Sequence, residues 1–151
     1  MKRRSFLSKS LTGGFIISSG ILSIRSVLAD WPSAAMHEKD ISKAMKAIAG
    51  GTGSKSSNIR LKAPEVAENG AVVPITVDAT SMKNVESISI FVDSNPSPLI
   101  ASFAFSNGAL GFASTRLKMG KSGNVTALVK AGGKVYKTTK EVKVTIGGCG
   151  G

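Results

Sequence analysis

The sequence predicts an all-β protein, an immunoglobulin-like antiparallel β-sandwich of about seven strands with a short N-terminal helix and a flexible C-terminal arm. Three observations predict it. From residue 59 onward hydropathy alternates with period two, most clearly in Ser87-Ile88-Ser89-Ile90-Phe91-Val92 and Glu141-Val142-Lys143-Val144-Thr145-Ile146. Turn signals separate the runs at Asn69-Gly70, Asn95-Pro96 with Pro98, Asn107-Gly108, Gly120 with Gly123, and Gly132-Gly133. No helical pattern falls between the strands, which excludes a parallel sheet with crossover helices.

The elements follow in order. Ile41, Ala44, Met45 and Ile48 recur at helical spacing, so a helix is expected from Ala35 to Ala49, with Ser33 as N-cap and Gly50-Gly51 as stop. Its apolar stripe packs on the sheet or caps one end; the alternative is docking on a partner chain. Residues Gly50 to Asn58 read as a flexible Gly/Ser connector. They are not a phosphate-binding loop, because that motif stands between a strand and a helix and here the order is reversed. The expected strands are Ile59 to Ala63, Val72 to Ala79, Val85 to Val92, Leu99 to Phe105, Phe112 to Lys118, Asn124 to Lys130 and Lys134 to Ile146. Pro74 places its strand at an edge or marks a bulge. With one cysteine in the chain, no disulfide bridges the sheets, and the core rests on Val, Ile, Leu and Phe.

The first 29 residues have a different character. Lys2, Arg3, Arg4 and Lys9 precede an apolar stretch that closes on Val27-Leu28-Ala29, the layout of a cleavable export signal with processing after Ala29. Leu11 to Ile24 is only 14 residues, short of the ~20 that cross a bilayer. Arg3-Arg4-Ser5-Phe6-Leu7 resembles the twin-arginine signal, which addresses folded proteins to the periplasm. The chain therefore reads as a signal peptide over 1–29, helix and linker over 30–58, the sandwich over 59–146 and an arm over 147–151.

Location changes the meaning of the charge. The whole chain carries +11, but cleavage removes five basic residues and no acid, leaving 15 basic against 9 acidic side chains and a net of +6 on 122 residues. Arg60 and Arg116 are the only arginines left, and aromatic residues are few. Nucleic-acid grooves need clustered cations interleaved with stacking platforms, so nucleic acid is excluded as a partner. The residual charge implies steering toward an acidic or anionic partner.

The chemistry sits at the other end. Gly147, Gly148, Gly150 and Gly151 bracket Cys149, the only thiol of the molecule. Glycine samples both signs of φ, so the segment should leave the sheet as a tether. Ile146 to Cys149 reaches about 10 Å, enough to carry the thiol into a neighbouring protein. An exposed free thiol is ordinarily avoided in an exported protein, which argues against an accidental tail. Prenylation needs three residues after the cysteine, and here there are two. His37 and Cys149 make too few ligands for a metal site, and neither metal nor cofactor is expected.

The ending Val142-Lys143-Val144-Thr145-Ile146-Gly147-Gly148-Cys149-Gly150-Gly151 resembles that of the SoxY family, the sulfur-carrying subunits of the bacterial thiosulfate-oxidising Sox system. The similarity extends through Leu61 to Ile75, through Ile88 to Asp93 with Asn95-Pro96, and through Ser114-Thr115-Arg116. The Gly-Gly-Cys-Gly-Gly ending is its diagnostic part. The resemblance implies a carrier and not an enzyme: Cys149 as the covalent attachment residue, and Gly147, Gly148, Gly150 and Gly151 as a swinging arm. It further implies a heterodimer with a SoxZ subunit and transient docking to a c-type cytochrome, a sulfate-releasing hydrolase and, in systems that have one, a sulfane dehydrogenase.

Two other readings compete. Ubiquitin-like carriers hold sulfur as a thiocarboxylate on a terminal Gly-Gly, here Gly151, but they are cytosolic. A stand-alone thiol oxidoreductase usually supplies a resolving cysteine, which this sequence lacks. The signal peptide makes a prediction of its own. The Arg3→Lys, Arg4→Lys double variant is expected to stay in the cytoplasm, and its normal accumulation in the periplasm, read by cell fractionation, rules out the twin-arginine route.

Overall fold

The computed structural model describes residues 33–106 and 108–145, all within the unit Trp31–Gly151. Two helices, α1 (Ser33–His37) and α2 (Ile41–Ala49), precede the strands. These are β1 (Ser54–Lys55), β2 (Arg60–Lys62), β3 (Val66–Ala67), β4 (Val73–Asp78), β5 (Val85–Val92), β6 (Leu99–Ala104), β7 (Phe112–Leu117), β8 (Gly123–Ala131) and β9 (Lys134–Val144).

Hydropathic alternation, and its failure, decide where each strand lies. In β4 the core side takes Val73, Ile75 and Val77 while Pro74, Thr76 and Asp78 face outward. β7 behaves alike, burying Ala113 and Leu117 and exposing Ser114 and Arg116. These are strands of a sheet with one wet face, and they form the three-stranded sheet β2-β4-β7. β5 and β8 do not alternate, because every residue from Ile88 to Val92 and from Val125 to Val129 is buried. Both faces of their sheet must therefore be covered.

The larger sheet runs β1-β9-β8-β5-β6, with β3 also paired to β9. Its inner face meets the smaller sheet in a core of Val73, Ile75, Val77, Ile88, Ile90 and Val129 with their neighbours, which makes the immunoglobulin-like sandwich. Its outer face is roofed by the helices, where Ala35, Ala44 and Met45 pack on Phe91, Leu99 and Leu128. The apolar stripe of α2 is therefore used on the sheet. Beside that apolar contact, hydroxyls replace apolar groups: Ser89 bonds Ser102 and Thr126 bonds Thr139, so the buried Ser89 and Thr126 stay satisfied.

Several expectations need correction. The helix expected over Ala35 to Ala49 is two helices, and Ser33 begins the first of them instead of capping one long element. Asp40 is the cap of α2: its backbone is extended and its carboxylate accepts the Lys43 N–H at 2.9 Å, which closes off the preceding turn. Ser97 Oγ also donates to the Met36 carbonyl and ties α1 to the sheet. Gly50 does end α2, in the left-handed conformation at φ 79°.

The connector Gly50 to Asn58 is not free, since Ser54 and Lys55 pair in parallel with Tyr136 and Lys137 of β9. Gly53, at φ 69°, passes so close to Leu128 and the Tyr136 backbone that a side chain has no room. The strand count rises from the expected seven by the two short elements β1 and β3, both parallel to β9 and not antiparallel. Val85 to Val92 is as expected, five other strands differ by one residue at one or both ends, and β9 ends at Val144, with Ile146 outside the described residues.

Pro74 lies in the central strand of its sheet and not on an edge strand, with no register shift there. The reason is local. Ala79 donates to Gly111 on the β7 side, so by the period of two Pro74 turns its nitrogen toward β2, whose last pair is Lys62 with Thr76. No ladder bond is lost where no partner strand remains.

Phe91 holds the helical roof. Truncation to alanine is expected to cost about 3–5 kcal/mol, and chemical denaturation followed by far-ultraviolet circular dichroism checks it. A cost below about 1 kcal/mol would mean that α1 and α2 contribute little to the stability of the fold.

Candidate functional site

The expected attachment residue Cys149 and the arm of Gly147, Gly148, Gly150 and Gly151 lie outside the described residues, as does the export signal. What the structure describes is the end of β9 that precedes those residues in the chain, the root. β9 pairs with β8 from Lys134 to Val142, and on its other edge β1 and then β3 take successive stretches. The ladder with β3 continues past the strand end: Lys143 donates to the Glu65 carbonyl at 2.9 Å and Thr145 to the Ala67 carbonyl at 3.1 Å.

On the β8 side the ladder ends at Gly123, and a side chain takes over. Ser122 Oγ accepts the Val144 N–H at 2.9 Å, in the place where another β8 carbonyl would have stood. Val144 is half-buried and packs on the sandwich core. Gly70 explains part of that fit. A Cβ there would collide with the Met119 carbonyl and with the Val144 side chain, so only glycine lets this loop pass.

Three loops around the root are bonded into one platform. Met119 donates to Gly70 at 2.7 Å, linking residues 68–72 with residues 118–122. Asn95 donates to the Lys118 carbonyl and accepts from Gly120, while Ser94 donates to the Lys121 carbonyl. Asp93 accepts from both the backbone and the side chain of Asn124, each at 2.8 Å. Sequence reasoning placed turns at Asn69-Gly70, Asn95-Pro96 and Gly120 but had no signal that they join one another. Ser122 carried no signal at all.

The electrostatics are mild. Asp78 is held below the ordinary carboxylate value by hydrogen bonds from the Thr80 hydroxyl and N–H, with Arg60 and Lys62 adding to the effect. Glu86 is lowered by the Gly133 N–H and by Lys130, its ion-pair partner at 3.2 Å. Both carboxylates are on the surface. Among the described residues every buried side-chain nitrogen or oxygen has a partner, and no three His, Cys, Asp or Glu side chains are grouped as metal ligands. His37 is exposed at the end of α1. A depression of about 410 Å³ lined by Val85, Glu86, Phe105 and their neighbours opens at the far ends of β5 and β6, away from the root.

Comparison with known proteins bears directly on this arrangement. The family model described as sulfur oxidation protein SoxY matches residues 45–149. The chain belongs to the SoxY family. A solved structure, the sulfur carrier protein SoxY from Chlorobium limicola f thiosulfatophilum, is 45% identical with a TM-score of 0.61, over 68% of this chain and 94% of that one. An AA10 lytic polysaccharide monooxygenase from Streptomyces lividans aligns over 70% of this chain and 74% of its own, but at 12% identity and a TM-score of 0.40 it is too distant to bear on fold or chemistry. No curated protein matches the chain. The SoxY match takes in α2 from Met45 onward, the whole sandwich and the position of Cys149.

Ser122→Ala removes the acceptor of the Val144 N–H while leaving the Thr145 bond to Ala67 in place. A hydrogen bond of this kind is worth about 1 kcal/mol. Amide exchange at Val144, followed by NMR, is therefore expected to quicken about fivefold, with Thr145 much less affected. Unchanged protection at Val144 would show that the hydroxyl does not hold the root.

Proposed function

We propose that the chain is a periplasmic carrier that holds thiosulfate-derived sulfur covalently on Cys149 and presents it to partner enzymes. The observation that carries this reading is the SoxY family match running to residue 149, on a chain whose single thiol follows a strand end fixed through Thr145. The relative from Chlorobium limicola is named a sulfur carrier protein, which supports the same role here. The signal of Arg3 and Arg4 exports the chain already folded, and cleavage near Ala29 leaves it without a membrane anchor. It pairs with a SoxZ subunit and meets its enzymes one at a time.

The chemistry asks little of the carrier. The Cys149 thiolate bonds to the sulfane sulfur of thiosulfate, and two electrons leave to the c-type cytochrome, giving a cysteine S-thiosulfonate. In the hydrolase, water takes the terminal sulfonate away as sulfate, a proton is released, and a persulfide stays on Cys149. Where a sulfane dehydrogenase is present, three waters add their oxygens to that outer sulfur, six electrons leave to a c-type cytochrome and seven protons are released, giving a cysteine S-sulfonate that the hydrolase cleaves with water to sulfate and the free thiol. Thiolates are the competent nucleophiles and leaving groups for such exchange, and an unperturbed thiol near ~8.5 is partly ionised at neutral pH.

The sequence places no base beside Cys149, so the docked enzyme supplies activation and the carrier itself does not catalyse. Covalent attachment keeps each intermediate from diffusing away between enzymes. The glycines on each side of the sulfur keep the backbone narrow enough to enter a channel.

Two variants test the reading in a reconstituted system with thiosulfate as sole donor. Cys149→Ser is expected to lose both the reductant-labile sulfur adduct in intact mass spectra and thiosulfate-dependent electron transfer. Gly148→Pro is expected to keep its fold while its processing slows. Wild-type rates from Cys149→Ser would end the carrier assignment; wild-type rates from Gly148→Pro would show that backbone freedom is not why the glycines are there.

A further inference from the structure

The two arginines of the mature chain are 56 positions apart in sequence, and the fold brings both to one surface. Arg60, opposite Asp78, and Arg116, opposite Pro74, lie on the solvent face of β2-β4-β7. Lys62 shares that face, opposite Thr76, and the floor between the cations is small: Thr76 and Ser114 bond to each other at 3.1 Å. Phe112, half exposed, completes the row of Arg60 and Asp78. Past β7 the face continues through exposed Lys118 and Lys121, the loop whose next residue, Ser122, grips Val144. One basic strip thus leads to the root of the arm.

Its charges are offset within the strip only at Arg60 and Lys62, which act on Asp78. Asp78 is the one acid on the three strands, and its carboxylate is engaged by Thr80. No Asp or Glu occurs between Asp93 and Glu141, so β7 and the loop after it have no acid of their own. Among the described residues neither Arg60, Lys62, Arg116, Lys118 nor Lys121 forms an ion pair.

Spacing selects the kind of ligand. Neighbouring strands are ~4.8 Å apart and residues rise ~3.3 Å along them. Arg60 and Arg116, two strands and four positions apart, are then separated by roughly 16 Å at the backbone. That is too wide to converge on one small oxyanion and suits an array of carboxylates on another protein. Arginine and phenylalanine are also the residue types enriched where proteins meet.

We propose that this strip is the docking surface for the enzymes that process the cargo, which meet it with Asp- and Glu-rich rims around their channels. The inference rests on the carrier reading above and adds the surface and the partner chemistry. The strip orients the enzyme over the arm root, so that four residues beyond Thr145, about 13–14 Å of chain, span the distance into a channel. Contacts of this kind raise the encounter rate more than they slow release, which suits a carrier that must leave each enzyme in turn.

The test uses the mature chain paired with its SoxZ subunit and loaded with thiosulfate-derived sulfur, with the sulfate-releasing hydrolase as probe and the pairing of each variant verified by size-exclusion chromatography. Arg60→Glu, Lys62→Glu, Arg116→Glu is compared with a control of equal charge change on the helices, Lys39→Glu, Lys43→Glu, Lys46→Glu. A milder pair, Arg116→Gln with Lys118→Gln, guards against misfolding of the triple variant, and circular dichroism verifies each fold.

At low ionic strength the strip variant is expected to lower kcat/KM about tenfold or more, with kcat at saturating carrier unchanged and the difference vanishing in high salt. The helix control is expected to stay within about twofold of wild type. A loaded strip variant that keeps the wild-type kcat/KM and salt dependence overturns this inference alone. So does an equal loss in the helix control, or binding of the strip to anionic phospholipid vesicles without effect on turnover. A wild-type chain that takes up no reductant-labile sulfur at Cys149 overturns the carrier reading and this inference with it.

Discussion

The ladder of β9 with β8 runs from Lys134 to Val142, and bonds to Glu65, Ser122 and Ala67 carry the strand on to Thr145; the positions that follow are dominated by glycine around a single sulfur. On one edge β1 and β3 take the strand in turn; on the other β8 takes it as far as Gly123, and Ser122 extends the hold by one more donor. A tether is useful only if one end stays put. A root that frayed would spread the position of the thiol over the whole end of the sandwich and weaken any geometry set up by docking. For the proposed carrier, a fixed strand end at Val144 and Thr145 is therefore the constraint that Ser122, the close passage at Gly70 and β3 serve.

That constraint also explains why β9 needs a sheet buried on both faces. β8, which carries most of its ladder, is covered by the smaller sheet on one side and, through Leu128, by the helices on the other. Dense burial of this kind resists local opening. Among the described residues the solvent face of the smaller sheet is left free of roofing, and Arg60, Lys62 and Arg116 lie on it.

Much of the sandwich was legible because half-buried strands write their two faces as alternation. β4 and β7 follow that rule residue by residue, and β5 was bounded correctly although its burial is continuous, since Ser87 and Ser89 interrupt its apolar run. The short strands β1 and β3 were not legible. Two residues have no period, and Ser54-Lys55 and Val66-Ala67 are strands only because β9 presents an open edge to them. The break between the helices was missed for a similar reason: Asp40 reads as one more polar residue on a helical face until its carboxylate is seen to cap α2. At the site, the lone thiol and its glycines, which lie outside the described residues, were plain in the sequence. The clamp beneath them was not, because Ser122, Gly70 and Ala67 meet Val144 and Thr145 only through tertiary contact.

The central claim is that sulfur rides on the Cys149 side chain. Peptide mapping by mass spectrometry of the chain isolated from cells oxidising thiosulfate, with and without reductant, reads this directly. The account predicts added sulfur on the C-terminal peptide, assigned by fragmentation to the cysteine and released by reductant. Sulfur found instead on the terminal carboxyl of Gly151, or an unmodified C-terminal peptide under active oxidation, would contradict it.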